Sequence, residues 1–185
     1  VRGEDGHTFI ELDVDETGST VQVGVFTDRD SDGDLDLFLP SDSGPPSRFW
    51  RNDGGVFLDD GPAIGADLRM AAMGIDTADL DGDGLLDYCM SDTGPPVCIT
   101  SGTGSFVEVG AARGLLPAQP VGVGQTVGWG FDLADLDADG NLDALQASGP
   151  FPNAEGGVEH DLPNLSTAVH GVGGLTAPIF QTAET

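Results

Sequence analysis

Thirteen of the chain's 25 aspartates fall in three short runs whose spacing could hold a cation. The first run is Asp28, Asp30, Asp32, Gly33, Asp34, Leu35, Asp36; the second is Asp79, Asp81, Asp83, Gly84, Leu85, Leu86, Asp87; the third is Asp135, Asp137, Asp139, Gly140, Asn141, Leu142, Asp143. All obey DxDxDGxxD, with starts 51 and then 56 residues apart. Four carboxylates within nine residues repel one another unless a cation sits among them. Calcium fits best: it is hard, takes six to eight oxygens and tolerates irregular geometry, whereas magnesium demands a tighter octahedron and keeps its waters. Aspartates at the first, third and fifth positions line one side of a tight loop, and glycine at the sixth permits the sharp turn. The seventh residue, Asp34, Leu85 or Asn141, needs only its backbone carbonyl, and the ninth closes the cage. No soft ligand is near, which argues against zinc and copper. About three calcium ions are expected. The alternative is a set of solvated acidic turns, against which stands the retention of the ligand positions in three copies.

The elements that must position these loops read as strands. An EF-hand loop begins the same way but closes with an acid at position twelve and lies between helices; here position twelve is Leu39, Met90 or Gln146. The flanks VQVGVF and LDLFL alternate and are rich in β-branched residues. The segments MGIDTADLDGDGLLD and WGFDLADLDADGNLD, from Met73 and Trp129, share 10 of 15 positions, so the chain carries an internal repeat. Each unit reads strand, acidic loop, strand, turn, strand, turn, strand. The first gives Val21 to Phe26, Leu35 to Leu39, Arg48 to Arg51 and Val56 to Leu58. The second gives Ala71 to Thr77, Leu86 to Met90, Val97 to Thr100 and Phe106 to Val109. The turns SDSGPP and SDTGPP suit tight hairpins between second and third strands. Four strands per unit of about 50 residues is the pattern of a propeller blade.

The three loops, the MGID and WGFD strands before them, and the GGVF and GSF segments at Gly54 and Gly104 resemble the FG-GAP or VCBS repeat family, which includes the propeller of integrin alpha subunits and many secreted bacterial proteins. The resemblance implies an all-β fold of four-stranded antiparallel blades. It also implies that the loop joins the first two strands of a blade and binds calcium through Asp28, Asp30, Asp32 and Asp36, through Asp79, Asp81, Asp83 and Asp87, and through Asp135, Asp137, Asp139 and Asp143. The expected organisation is the last strand of a preceding blade and a linker over residues 1–20, then blades over 21–66, 67–120 and 121–185. Residues from Ser148 to Gly174 form a long stretch before the third blade's last strand near Ile179. Three blades and one strand fall short of the roughly four to eight that close a ring. The chain is therefore expected to be a fragment of a longer propeller or to pair with other chains, because open strand edges aggregate.

The 185 residues carry 32 acids against 6 bases, all arginine, for a net charge of −26. Nucleic acid and anionic membranes would repel such a chain. Hydrophobic residues make up 38%, enough for a core rather than a disordered tail, and no apolar run approaches the ~20 residues of a membrane span. The chain opens at Val1 without an initiator Met or a signal peptide, and reads as a mature segment or a piece of something longer. Cys89 and Cys98 flank the SDTGPP turn. If Thr93 and Gly94 are its central residues, Met90 faces Val97 and Cys89 faces Cys98, which permits a disulfide; two buried thiols are the alternative. A disulfide and calcium together point to the cell exterior.

Asp76 and Asp132, three residues before their loops, are read as hydrogen-bonded strand ends, with a ligand-holding role as the alternative. Trp50 and Trp129 are expected in the core rather than as sugar-stacking platforms. Glu155, Glu159, His160, Asp161 and His170 read as a polar loop, or alternatively as a second metal or ligand site, and Asn164, Leu165 and Ser166 form a glycosylation sequon. No GxSxG, HExxH, GxGxxG or phosphate-loop lysine occurs. The expected function is therefore non-catalytic: a calcium-stabilised extracellular module for binding, adhesion or assembly, with a protein or carbohydrate partner. The alternative is the substrate-positioning propeller part of a secreted polysaccharide-degrading enzyme.

Overall fold

The computed structural model describes residues 20–102, 104–115, 126–150, 167–172 and 179–182. It holds three antiparallel sheets of four strands, each a simple meander in chain order. Blade 1 comprises β1 (Val25–Thr27), β2 (Asp36–Leu39), β3 (Arg48–Asp53) and β4 (Val56–Asp59). A one-turn helix, α1 (Gly61–Ile64), follows, ended by Gly65 at φ 73°. Blade 2 comprises β5 (Ile75–Ala78), β6 (Asp87–Met90), β7 (Val97–Thr100) and β8 (Val107–Glu108). Blade 3 comprises β9 (Thr126–Ala134), β10 (Asp143–Pro150), β11 (Thr167–Val172) and β12 (Ile179–Thr182). Among the described residues no helix is long and apolar enough to cross a membrane. The anticipated strand in residues 1–20 lies outside the described residues but for Thr20.

Every residue of β6 is buried, because a strand's alternate side chains leave on opposite faces and blade 2 is covered on both. On one face Tyr88 and Met90 join Phe38 and Phe49 of blade 1 and Phe106 in one core cluster. Tyr88 meets Phe38 and Phe106 edge to face, with centroids 5.4 and 5.3 Å apart. On the other face Cys89 and Cys98 join Leu80, Leu115, and Phe131 and Ala144 of blade 3. The described residues thus form two cores, and each is an interface between blades. Gly74 marks the closest approach: a Cβ there would lie 2.6 Å from the backbone nitrogen of Phe131.

Two first strands start later than their alternation suggests, at Val25 rather than Val21 and at Ile75 rather than Ala71. The residues before β5 are committed elsewhere. Ser47 and Ser43 donate backbone N–H groups to the carbonyls of Leu68 and Met70, Ala72 donates to that of Ser41, and Met73 and Gly74 donate to Ser91 Oγ. Hydrophobic alternation there serves the seam between blades instead of a ladder. In blade 3, β10 runs on to Pro150 and β11 occupies Thr167–Val172, so the stretch from Ser148 to Gly174 is not all insertion. His170 lies on β11, opposite Gln181, whereas Glu155, Glu159, His160, Asp161 and the sequon at Asn164 lie outside the described residues.

Candidate metal centre

The three acidic runs are the links β1–β2, β5–β6 and β9–β10, hereafter loops 1, 2 and 3, each the first hairpin of its blade. Glycine at the sixth position takes a left-handed conformation in all three, with φ of 94° at Gly33, 86° at Gly84 and 90° at Gly140. The fourth position does the same, at Ser31 (61°), Gly82 (76°) and Ala138 (61°). Two left-handed residues flanking the fifth aspartate curl the backbone so that its N–H groups face inward.

Those N–H groups first meet the leading aspartate. Asp28 accepts from the backbone of Asp32 and Gly33, Asp79 from Gly82 and Gly84, and Asp135 from Asp139 and Gly140, at 2.7–3.1 Å. The leading carboxylate is thereby oriented before any cation arrives. The fifth aspartate accepts from the seventh residue: Asp32 from Asp34, Asp83 from Leu85 and Asp139 from Asn141, each at 2.8 Å. Asp34 also accepts from the Gly54 backbone at 2.8 Å, which ties loop 1 to the β3–β4 turn.

The ninth aspartate is the buried one: Asp36 and Asp87 are 0% exposed and Asp143 is 3%. Asp36 accepts backbone N–H groups from Arg29 and Asn52, Asp87 from Leu80 and Ser101, and Asp143 from Leu136. Each therefore bonds the second residue of its own loop, and Asp36 and Asp87 also bond the third strand or its end. Burial pushes the carboxyls of Asp36 and Asp87 above the usual 3.8; these N–H bonds pull the other way, and the neighbouring aspartates at the third and fifth positions add to the rise. A cation in the loop would offset that cost.

Carboxylate oxygens converge in all three loops, each trio within 4.8 Å of one another: Asp28, Asp30 and Asp32; Asp79, Asp81 and Asp87; Asp135, Asp137 and Asp143. Loop 1 thus gathers its first, third and fifth aspartates, and loops 2 and 3 their first, third and ninth. Every donor is a carboxylate oxygen, which suits a hard cation and not zinc or copper.

Cys89 and Cys98 are directly opposite on β6 and β7 and form a disulfide. Asp76 is a hydrogen-bonded strand end with reach, since it accepts from Thr77 beside it and from the backbone of Leu133 in blade 3 at 2.8 Å. Asp132 holds the matching place in blade 3, opposite Leu145. Trp50 is partly buried. Trp129 departs from the expected core placement: Ala147 pairs with Gly130 and Ser148 with Gly128, so Trp129 is the extra residue of a bulge and is 46% exposed.

Two features escape a reading by motif. The left-handed fourth position is filled by serine, glycine and alanine, so only Gly82 hints at it. Arg29, the one base inside an acidic loop, makes its main contacts some 75 residues away, with Gly104 and Phe106.

A family model described as the FG-GAP-like repeat matches residues 28–90, from the first aspartate of loop 1 to the end of β6. No curated protein matches the chain. Residues 28–90 are thus similar to an FG-GAP-like repeat, and loop 3 repeats their acidic spacing beyond the matched stretch.

Proposed function

From that similarity we propose that the protein is a calcium-stabilised, non-catalytic propeller module working outside the cell in binding, adhesion or assembly. The observation that carries the reading is the threefold convergence of aspartate oxygens at equivalent places in three blades. In each loop the ligands are the aspartates at positions one, three, five and nine, with the carbonyl of Asp34, Leu85 or Asn141 at position seven. Bound calcium supplies charge neutralisation and a rigid cross-link between the first two strands of a blade. The chain's own part is to hold the first aspartate by backbone N–H groups and to present the buried ninth. The disulfide supports an oxidising, extracellular setting, where calcium is also plentiful. With three blades in hand, the rest of the ring comes from the same chain or others, and the partner is a protein or carbohydrate.

Calorimetric titration should find about three calcium ions per chain, and the melting midpoint should fall by ten degrees or more when a chelator replaces calcium, because ligands that bind only the folded state stabilise it by several kcal/mol. An unchanged midpoint counts against the reading.

A further inference from the structure

Loop 1 is built by blade 1 but fastened by blade 2. Arg29, its second residue, donates its backbone N–H to Asp36 Oδ2 at 3.1 Å. Its guanidinium reaches towards blade 2. Nη2 donates to the Gly104 carbonyl at 2.9 Å, and Cζ lies 4.9 Å from the Phe106 ring centroid and 5.8 Å from that of Phe49. Two residues earlier, the Thr27 hydroxyl is hydrogen-bonded to the buried Tyr88 hydroxyl of blade 2. Two residues flanking Asp28 are thus held by the neighbouring blade. Loop 2 repeats the arrangement with apolar chemistry, since its second residue, Leu80, is fully buried in the core shared with blade 3. In loop 3 the second residue, Leu136, is 63% exposed.

We propose that Arg29 is a positioning residue that sets the calcium affinity of loop 1: by anchoring the loop to blade 2 it pre-forms the cage, so ion binding in one blade and packing of the next are a single linked equilibrium. The inference rests on the calcium reading above. It carries a sign that simple electrostatics does not. A guanidinium among carboxylates repels an incoming cation, so removing it should tighten binding if charge were all that mattered. Removing an anchor should weaken binding, because the loop must then be ordered at the expense of the ion's binding energy. Linkage makes the coupling reciprocal, so calcium should in turn steady the Gly104–Phe106 segment.

The test is calcium titration of the full chain and of the Arg29→Ala and Phe106→Leu variants, with the backbone amides of Gly33, Gly84 and Gly140 followed by NMR as separate reporters of the three loops. Arg29→Ala should weaken loop 1 about tenfold, equivalent to about 1.4 kcal/mol, and leave loop 3 alone. Phe106→Leu, which changes no charge, should weaken the same loop. Hydrogen exchange at Gly104–Phe106 should slow with calcium in the unmodified chain and lose that response in Arg29→Ala. If Arg29→Ala does not fold, Arg29→Lys keeps the charge and loses the planar fork, and it too should weaken loop 1. Tightened or unchanged binding at Gly33 in the variants overturns the inference while leaving the calcium reading intact; an unmodified chain that takes up no calcium overturns the calcium reading itself.

Discussion

At the scale of the residue, the fourth loop position is the most exposed to a simple trial. Ser31 and Ala138 hold a left-handed backbone that costs a residue with a Cβ about 1–2 kcal/mol, whereas Gly82 holds it freely. Ala138→Gly should therefore raise stability by about 1 kcal/mol and Gly82→Ala lower it by a similar amount, as read from urea unfolding in calcium. At Gly33, Gly84 and Gly140 an added Cβ meets nothing within 4 Å, so alanine there should cost only the backbone strain, again about 1–2 kcal/mol. A second trial concerns Tyr88, whose hydroxyl burial pushes up to about 12, its bond to Thr27 pulling the other way. Because the folded value lies above the unfolded 10, the folded state keeps its proton where the unfolded chain has lost it. The associated stability is complete below pH 10 and is lost as pH rises towards 12. The gap corresponds to about 3 kcal/mol. Tyr88→Phe should flatten that alkaline decline in denaturant midpoints.

At the scale of the element, the hairpin and the seam behave differently. The Cys89–Cys98 bridge closes a short loop inside one blade, and replacing both cysteines by alanine should cost about 3 kcal/mol, visible as a lower urea midpoint that reductant no longer shifts. Asp76 acts between blades. Asp76→Ala leaves the Leu133 N–H without its acceptor and should cost about 1–2 kcal/mol, whereas Asp76→Asn keeps an acceptor oxygen and should cost less; thermal melts of the pair decide it. The hairpins were legible in the sequence because local spacing determines them: the register of Met90 with Val97 and of Cys89 with Cys98 follows from the six-residue turn alone. The seams were not. Val21–Val23 and Ala71–Met73 carry hydrophobic patterning that looks like strand, yet the backbone around Met73 bonds Ser91 and Ser41 across gaps no local pattern reveals. Trp129 escaped for a related reason, since a bulge shifts the alternation by one residue and turns an expected core side chain towards solvent. Of the candidate site, the acids and the sixth-position glycines could be read directly, because repetition in three copies makes their constancy visible. Arg29 could not, because its role depends on Phe106 in another blade.

At the scale of the molecule, charge and packing oppose each other. Each calcium bound as proposed would remove two negative charges, so three would bring −26 to −20 and leave much repulsion. Sodium chloride should therefore raise the melting midpoint even in calcium, with the effect growing most steeply over the range in which the Debye length shrinks from about 30 to about 10 Å. A flat salt response would mean that the remaining acids lie too far apart to repel. Blade 2 is the keystone of the packing, for its two faces supply both cores. Substitutions that hollow β6 should unfold all three sheets together, whereas those at the exposed Leu145 or Leu136 should leave the transition unmoved.

The bond from Arg29 to Gly104 joins a residue counted with one repeat to the wall of the next. The blades match the repeats drawn on the sequence, but the cores lie between them: cutting the polypeptide at the short helix after β4 would strip the guanidinium of the Phe106 ring and open Phe38 and Phe49 to water. A lone repeat excised by its motif boundaries carries part of one core or of both and the whole of neither, so any recombinant unit meant to fold by itself has to reach into neighbouring copies.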